Sequence, residues 1–484
     1  MEKTILLRRA VAGCLLFLFL FPSLHLLFYI DRLEFRWEPE LVAALRGAFL
    51  QSTVSAILTL TLGLIGAWGL LALKNFEDSK SNGLRLLGLL PGFLPPLLVI
   101  TLGFRSWPSL PQGLWGVVFL HILMNLGLAS VMCEIVLREK AKGWLALRAI
   151  EGVAMPRFLL RGLLPSLRTD LVSLFFFFWL LCFTSFSVPF IVGGARYGGI
   201  EVFLYEAIFL YRDWGTALGL SMGLLLLFLP LSLFKPGQSP IPKVQNFQIH
   251  GGQRWGLSVF LSPFLILLFG LVKSLALTRG SLVVVTNFES AFRGSLLLGF
   301  GTGLGVFLIG SLVQFCFFSP KFSRLLFFAL PPGWMIIAFS FFLLGSAHMG
   351  LGFLKCMLAL SLIFFPFLFR LALFQKNEDL RQQVALCKVM GVSWGQIFFK
   401  VIWPQGIPAL ALAAGIAGAW ATGDFAISSV LLDHQTTLAL QMKDLLTGYH
   451  LSDAEAFILP LSLALAIVFL TFQGLGYVCR RQSL

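Results

Sequence analysis

Stretches of about 20 apolar residues recur along the whole chain, and this recurrence limits the fold more than any other feature. A run of that length crosses the hydrocarbon core of a bilayer as one helix, and within lipid each backbone N–H and C=O must be satisfied inside the structure. Composition agrees. Of 484 residues, 58% are hydrophobic and 12% charged, and the mean hydropathy is +0.90, which is more apolar surface than a soluble core can hide. The chain reads as all-α and polytopic.

About twelve spans are expected. The first runs from Val11 to Ile30 behind Lys3, Arg8 and Arg9; its length and the lack of a small-x-small cleavage site favour a retained helix over a cleaved leader. The next five are Ala48–Leu73, Leu86–Phe104, Leu114–Leu137, Leu171–Val192 and Ala217–Phe234. A polar stretch rich in Pro, Gln and Gly, Lys235 to Arg254, then joins two halves, 1–240 and 241–484. The second set is Trp255–Leu275, Gly294–Phe317, Leu325–Leu344, Leu351–Phe369, Ile407–Leu432 and Ala456–Val478. Six and six is the simplest count.

The net charge of +14 invites a nucleic-acid reading, but the bases sit in short loops between apolar runs. The positive-inside rule places them there without a polyanion. With the N-terminus inside, most of the 36 Lys and Arg fall on the cytoplasmic side, together with both termini and the loops about 138–168 and 370–405. Seven cysteines, among them Cys14, Cys133 and Cys316, form no CxxC pair. Neither a disulfide framework nor a metal site is indicated.

Those two basic loops repeat one another. Gly152-Val153 and Gly391-Val392 each begin a segment with a bulky apolar triplet, then a base (Arg161, Lys400) and a proline (Pro165, Pro404) at matching positions. The repeat extends further. Ala48-Phe49-x-x-Ser52 recurs as Ala291-Phe292-x-x-Ser295, Leu94-Pro95-Pro96 as Leu330-Pro331-Pro332, and Ser185-Phe186 aligns with Asp424-Phe425. Two homologous six-helix halves are expected, parallel in the membrane because an even number of spans separates equivalent points.

On these residues the chain resembles permease subunits of binding-protein-dependent ABC importers. The repeated loop looks like the cytoplasmic "EAA" loop of that family, and the fused halves are similar to its iron(III) and thiamine permeases. His121-Ile122-Leu123-Met124-Asn125, Leu181-Cys182-Phe183-Thr184-Ser185-Phe186 and Ile200-Glu201-Val202 look most like the thiamine permeases. One departure stands out: the family's Glu-Ala-Ala is Ala146-Leu147-Arg148 in the first half and Ala385-Leu386-Cys387 in the second. The resemblance implies a type I permease fold in a bacterial inner membrane. It also implies two copies of an ABC ATPase that carry ATP and Mg, and an extracytoplasmic binding protein.

The physics of the loop agrees. Gly152 and Gly391 can turn the chain sharply between two short surface helices, the apolar triplets Phe158-Leu159-Leu160 and Ile397-Phe398-Phe399 can pack inward, and Arg161 and Lys400 can meet lipid phosphate or a partner. Pro165 and Pro404 begin the next spans, where a missing N–H costs little. An interfacial helix that only anchors the loop is the plainer alternative. The chain carries no Walker motif, so hydrolysis falls to another subunit and the chain is not read as an enzyme; no cofactor is expected in it.

Asp424 is a carboxylate inside an apolar run, expensive there and a functional marker. With Ser185, Phe186 and Phe425 it is assigned to the solute path; the alternative is that it pairs with a base or caps a broken helix. The expected function is ATP-driven uptake of thiamine or a related compound, with ferric iron second. An ion-coupled secondary transporter is the rival from another class.

Overall fold

The computed structural model describes residues 2–29, 39–71, 73, 79–152, 161–162, 164–233, 253–277, 288–316, 333–345, 349–370, 378–432, 436–448 and 450–482. Among them every regular element is helical, as expected where lipid replaces water as backbone solvent. In chain order these are α1 (Glu2–Leu27), α2 (Pro39–Leu70), α3 (Ser79–Phe93), α4 (Pro96–Ser106), α5 (Leu114–Glu151), α6 (Leu164–Phe183), α7 (Ser187–Val192), α8 (Gly194–Tyr197), α9 (Gly199–Phe209), α10 (Trp214–Leu233) and α11 (Gln253–Leu277). There follow α12 (Phe288–Cys316), α13 (Trp334–Leu343), α14 (Met349–Arg370), α15 (Glu378–Val389), α16 (Trp394–Ile397), a π turn (Phe398–Ile402), α17 (Trp403–Thr422), α18 (Ser428–Leu431), α19 (Leu438–Thr447), α20 (Leu451–Glu455) and α21 (Ile458–Gln482).

Nine helices among the described residues are long and apolar enough to cross a membrane. The third expected run is instead a broken pair, α3 and α4, bent by 100°. Pro95 and Pro96 cause the bend: Pro95 takes φ −56° and ψ 140° ahead of α4, where no helix can continue. The sixth run is α10, Trp214–Leu233, and the described part of the ninth is α13, Trp334–Leu343. The fifth and eleventh runs stop early, at Phe183 and Thr422, because the chain breaks there before Val192 and Leu432 are reached. Pro331-Pro332 and nearly all of the expected linker lie outside the described residues.

The chain forms two compact units: one holds Met1–Arg36, Leu204–Ser232 and Leu282–Leu484, the other Trp37–Phe203 and Leu233–Ser281. Packing units and sequence halves are different quantities, since a repeat can be continuous in sequence and still place its first helix elsewhere. In the second of these units α2 is central, packed on α5, α6 and α11, and α11 also lies on α3 and α4. Small residues let these backbones approach, as packing in lipid requires. A Cβ on Gly69 would stand 2.1 Å from the backbone nitrogen of Leu257.

In the other unit α17 is central, packed on α12 and α21, with α12 also against α14 and α1. Here a Cβ on Gly418 would come within 2.7 Å of the carbonyl oxygen of Gly299. Aromatic contacts fill the remaining volume, such as Phe19 against Phe365 with ring centroids 5.6 Å apart.

Candidate functional site

The turn at Gly391 is built by its sequence. Helix α15 ends because Gly391 takes φ +74°, a left-handed conformation that costs glycine nothing. Its N–H donates to the carbonyl of Lys388 at 3.1 Å, and that of Val392 to Cys387 at 3.0 Å. The pairing satisfies two carbonyls that a helix end leaves open, the Schellman arrangement. Ser393 then starts α16: its hydroxyl accepts from the Gln396 N–H at 3.5 Å and donates to the Gln396 side-chain oxygen at 3.0 Å.

Beyond α16 the chain widens into the π turn and enters α17 at Trp403 and Pro404. Val384, Trp394, Ile397, Phe398 and Ile402 form one buried cluster, with Phe315 and Trp403 packed on it. Gln405 donates to Gln383 at 2.8 Å and ties α15 to α17. The expected inward packing holds for Ile397 and Phe398 but not for Phe399, which is 67% exposed. A helical step between Phe398 and Phe399 turns the second ring away from the cluster. Lys400 is exposed as well. At the end of α15, Leu386, Val389 and Met390 share one helical face and are 62%, 86% and 71% exposed.

The first loop has the same local frame where it is described. Gly152 takes φ +64°, Arg161 is exposed and lies with Gly162 in π geometry, and Pro165 is the second residue of α6. Phe158-Leu159-Leu160 lie outside the described residues. One expectation fails here: Gly152 does not separate two short helices, because α5 runs unbroken for 38 residues up to it. Among the described residues a Cβ on either glycine meets nothing within 4 Å, so backbone conformation selects glycine at both turns.

Asp424 and Phe425 are buried just past the end of α17. The Asp424 Oδ2 atom accepts from the N–H of Ile427 at 3.1 Å, the N–H of Ser428 at 3.0 Å and the Ser428 hydroxyl at 3.0 Å. Its carboxylate therefore caps the short helix α18 after a break, the plainer of the two readings of this residue. Ser185 and Phe186 occupy the corresponding break after α6; Phe186 is buried, stacks on Phe190 at 5.1 Å and, as the residue before α7, offers no side-chain cap. These two breaks belong to different units, each described by itself.

Two features have no signal in the sequence pattern. In the unit around α2, Glu134 is fully buried between two arginines: Arg85 Nη2 lies 2.6 Å and Arg138 Nη2 2.8 Å from Glu134 Oε1. Arg138 also donates to the carbonyls of Leu70 and Leu73 at the end of α2. In the other unit Arg8 of α1 lies over the ring of Trp394, its Cζ 4.1 Å from the centroid. Among the described residues no group of three His, Cys, Asp or Glu side chains is placed to hold a metal.

Comparison with known families gives a match. Residues 322–482 fit the family described as binding-protein-dependent transport system inner membrane component, a stretch that contains the Gly391 loop, Asp424 and Phe425. No curated protein and no solved structure matches. The C-terminal third therefore matches the permease component of binding-protein-dependent ABC transport systems, and the chain is a multi-pass membrane protein, all-α among the described residues.

Proposed function

We propose that this chain, with its permease domain over 322–482, is the fused permease subunit of an ATP-driven importer. Its two sequence halves, 1–240 and 241–484, each present one cytoplasmic loop to one of two identical ATPase subunits. An extracytoplasmic protein delivers the solute. Both termini then lie in the cytoplasm of a bacterial inner membrane.

The observation that carries this reading is the Gly391 loop. Its inner face is fixed by the cluster around Trp394 and Phe398, while Leu386, Val389, Met390 and Phe399 stay exposed beside Lys400. Apolar side chains left uncovered on a rigid support offer a docking surface for another protein. The Gly152 loop shares the left-handed glycine, the π segment carrying a base and the proline, which supports a second grip of the same kind. ATP-driven closure of the two ATPases then biases a two-state switch between inward and outward exposure.

For the solute path the reading rests on helix breaks. Discontinuous helices expose backbone groups where a solute can be held, and α6 and α17 both break at equivalent points, next to Ser185-Phe186 and Asp424-Phe425. Thiamine or a related compound is the first choice of solute, on the resemblance of the first half, and ferric iron the second.

Reconstitution decides the matter. Proteoliposomes containing this chain, the ATPase and the binding protein should take up thiamine only when ATP is present inside. Uptake of ferric iron in its place would change the solute and keep the mechanism. Uptake driven by a proton or sodium gradient, without ATPase, would overturn it in favour of a secondary transporter.

A further inference from the structure

The N-terminal helix reaches the second loop through one side chain. Arg8 and Arg9 are adjacent bases on α1, yet Arg9 is exposed and Arg8 is partly buried. Arg8 Nε donates to the carbonyl of Cys316 at 3.1 Å, Nη2 donates to the same oxygen, and the Cys316 thiol returns a contact to the Arg8 carbonyl at 3.6 Å. Cys316 is the last described residue of α12. The same guanidinium covers the Trp394 ring, and Lys388 of α15 approaches that ring to 5.6 Å. Phe315, next to Cys316, meets Phe398 edge-on at 5.1 Å.

We propose that Arg8 is a positioning residue: it clamps α12 at Cys316 to Trp394, so that force on the Gly391 loop moves α1, α12 and the loop as one body. A guanidinium stacked on indole and bonded to a backbone carbonyl is a strong, directional fastening. The counterpart of Trp394 in the first loop is Met155, which has no ring face to offer. The clamp therefore belongs to one loop only, and the two loops pass motion unequally. The role in transport rests on the coupling function proposed above; the clamp itself does not.

Two measurements separate the two. In the purified chain, Arg8→Ala and Trp394→Leu should each speed amide exchange across 386–402 by about tenfold while the segment around Gly152 stays unchanged, and the double variant should be no faster than either single one. Trp394→Phe keeps a ring face and should stay near wild type, which preserves the test if Arg8→Ala does not fold. In proteoliposomes Arg8→Ala should still bind the ATPase but move several-fold less solute per ATP hydrolysed. Unchanged exchange in both Arg8→Ala and Trp394→Leu overturns the clamp. Faster exchange with an unchanged ratio of solute to ATP overturns its role in coupling, and a wild-type chain that binds no ATPase overturns the proposed function while the exchange result still stands.

Discussion

Helix α6 runs from Leu164 to Phe183 and α17 from Trp403 to Thr422, and both pairs of bounds are separated by the interval between Gly152 and Gly391. Each follows a π segment that carries an exposed base, and each is followed by a break and a short helix, α7 or α18. The fastenings differ. At the second break a buried carboxylate accepts three hydrogen bonds; at the first the residue before the helix is Phe186, whose ring cannot cap it. The middle of α5 is held by a buried ionic triad, whereas the Gly391 loop is held by a ring cluster and Arg8. One backbone path can thus be stabilised by different chemistry, so the shared features, glycine, base and proline, are those that the common path itself requires.

The largest effect is expected where charge is buried. Removing Glu134 leaves Arg85 and Arg138 facing each other out of water, and breaking a buried ion cluster in this way costs about 4 kcal/mol. Glu134→Ala should lower the thermal midpoint of the detergent-solubilised protein more than Asp424→Ala, Gly152→Ala or Gly391→Ala does. A midpoint at the wild-type value would mean that the triad does not fasten α5 to α3 and the end of α2, and the contrast between the two fastenings would fall with it.

The breaks come next. Asp424→Ala strands two backbone donors and a hydroxyl in an apolar surrounding, at about 2 kcal/mol, since an unmet buried donor costs more than a formed bond contributes. Ser185→Ala caps nothing and should stay within about 0.5 kcal/mol. Comparing the two midpoints sharpens the contrast between the breaks. If Asp424→Ala unfolds no earlier than Ser185→Ala but abolishes uptake, the carboxylate is kept for the solute rather than for the helix.

How much of this could be read from the residues follows from the range of each interaction. Spans are written in hydropathy, and the bend at Pro95-Pro96 in chemistry local to two residues, so both were legible. Gly391 was legible for the same reason, because a left-handed turn needs nothing beyond its own sequence. The break after Thr422 was not, since Phe425 to Leu432 continue the apolar run and hydropathy does not register a change of direction; only Asp424 marked it, as a possible cap. Glu134 and Arg85 stand 49 positions apart, and Arg8 lies far from Trp394 in sequence. Such pairs exist only once helices pack, and no local pattern announces them.

The smallest effect is expected at the two glycines, where the halves should behave alike. Both sit at positive φ with open space around the missing Cβ, so alanine incurs only the left-handed backbone penalty, about 1 kcal/mol at each. Gly152→Ala and Gly391→Ala should therefore lower the midpoint by equal, small amounts, and asparagine, which tolerates this conformation, by less. Equal stability losses with unequal losses of ATPase binding would show that the two loops share a turn and differ as handles, as the single clamp at Trp394 implies. A much larger loss at Gly391→Ala than at Gly152→Ala would instead mean that the turns are not the same structure, and the repeat would cease to be a guide to what the loops do.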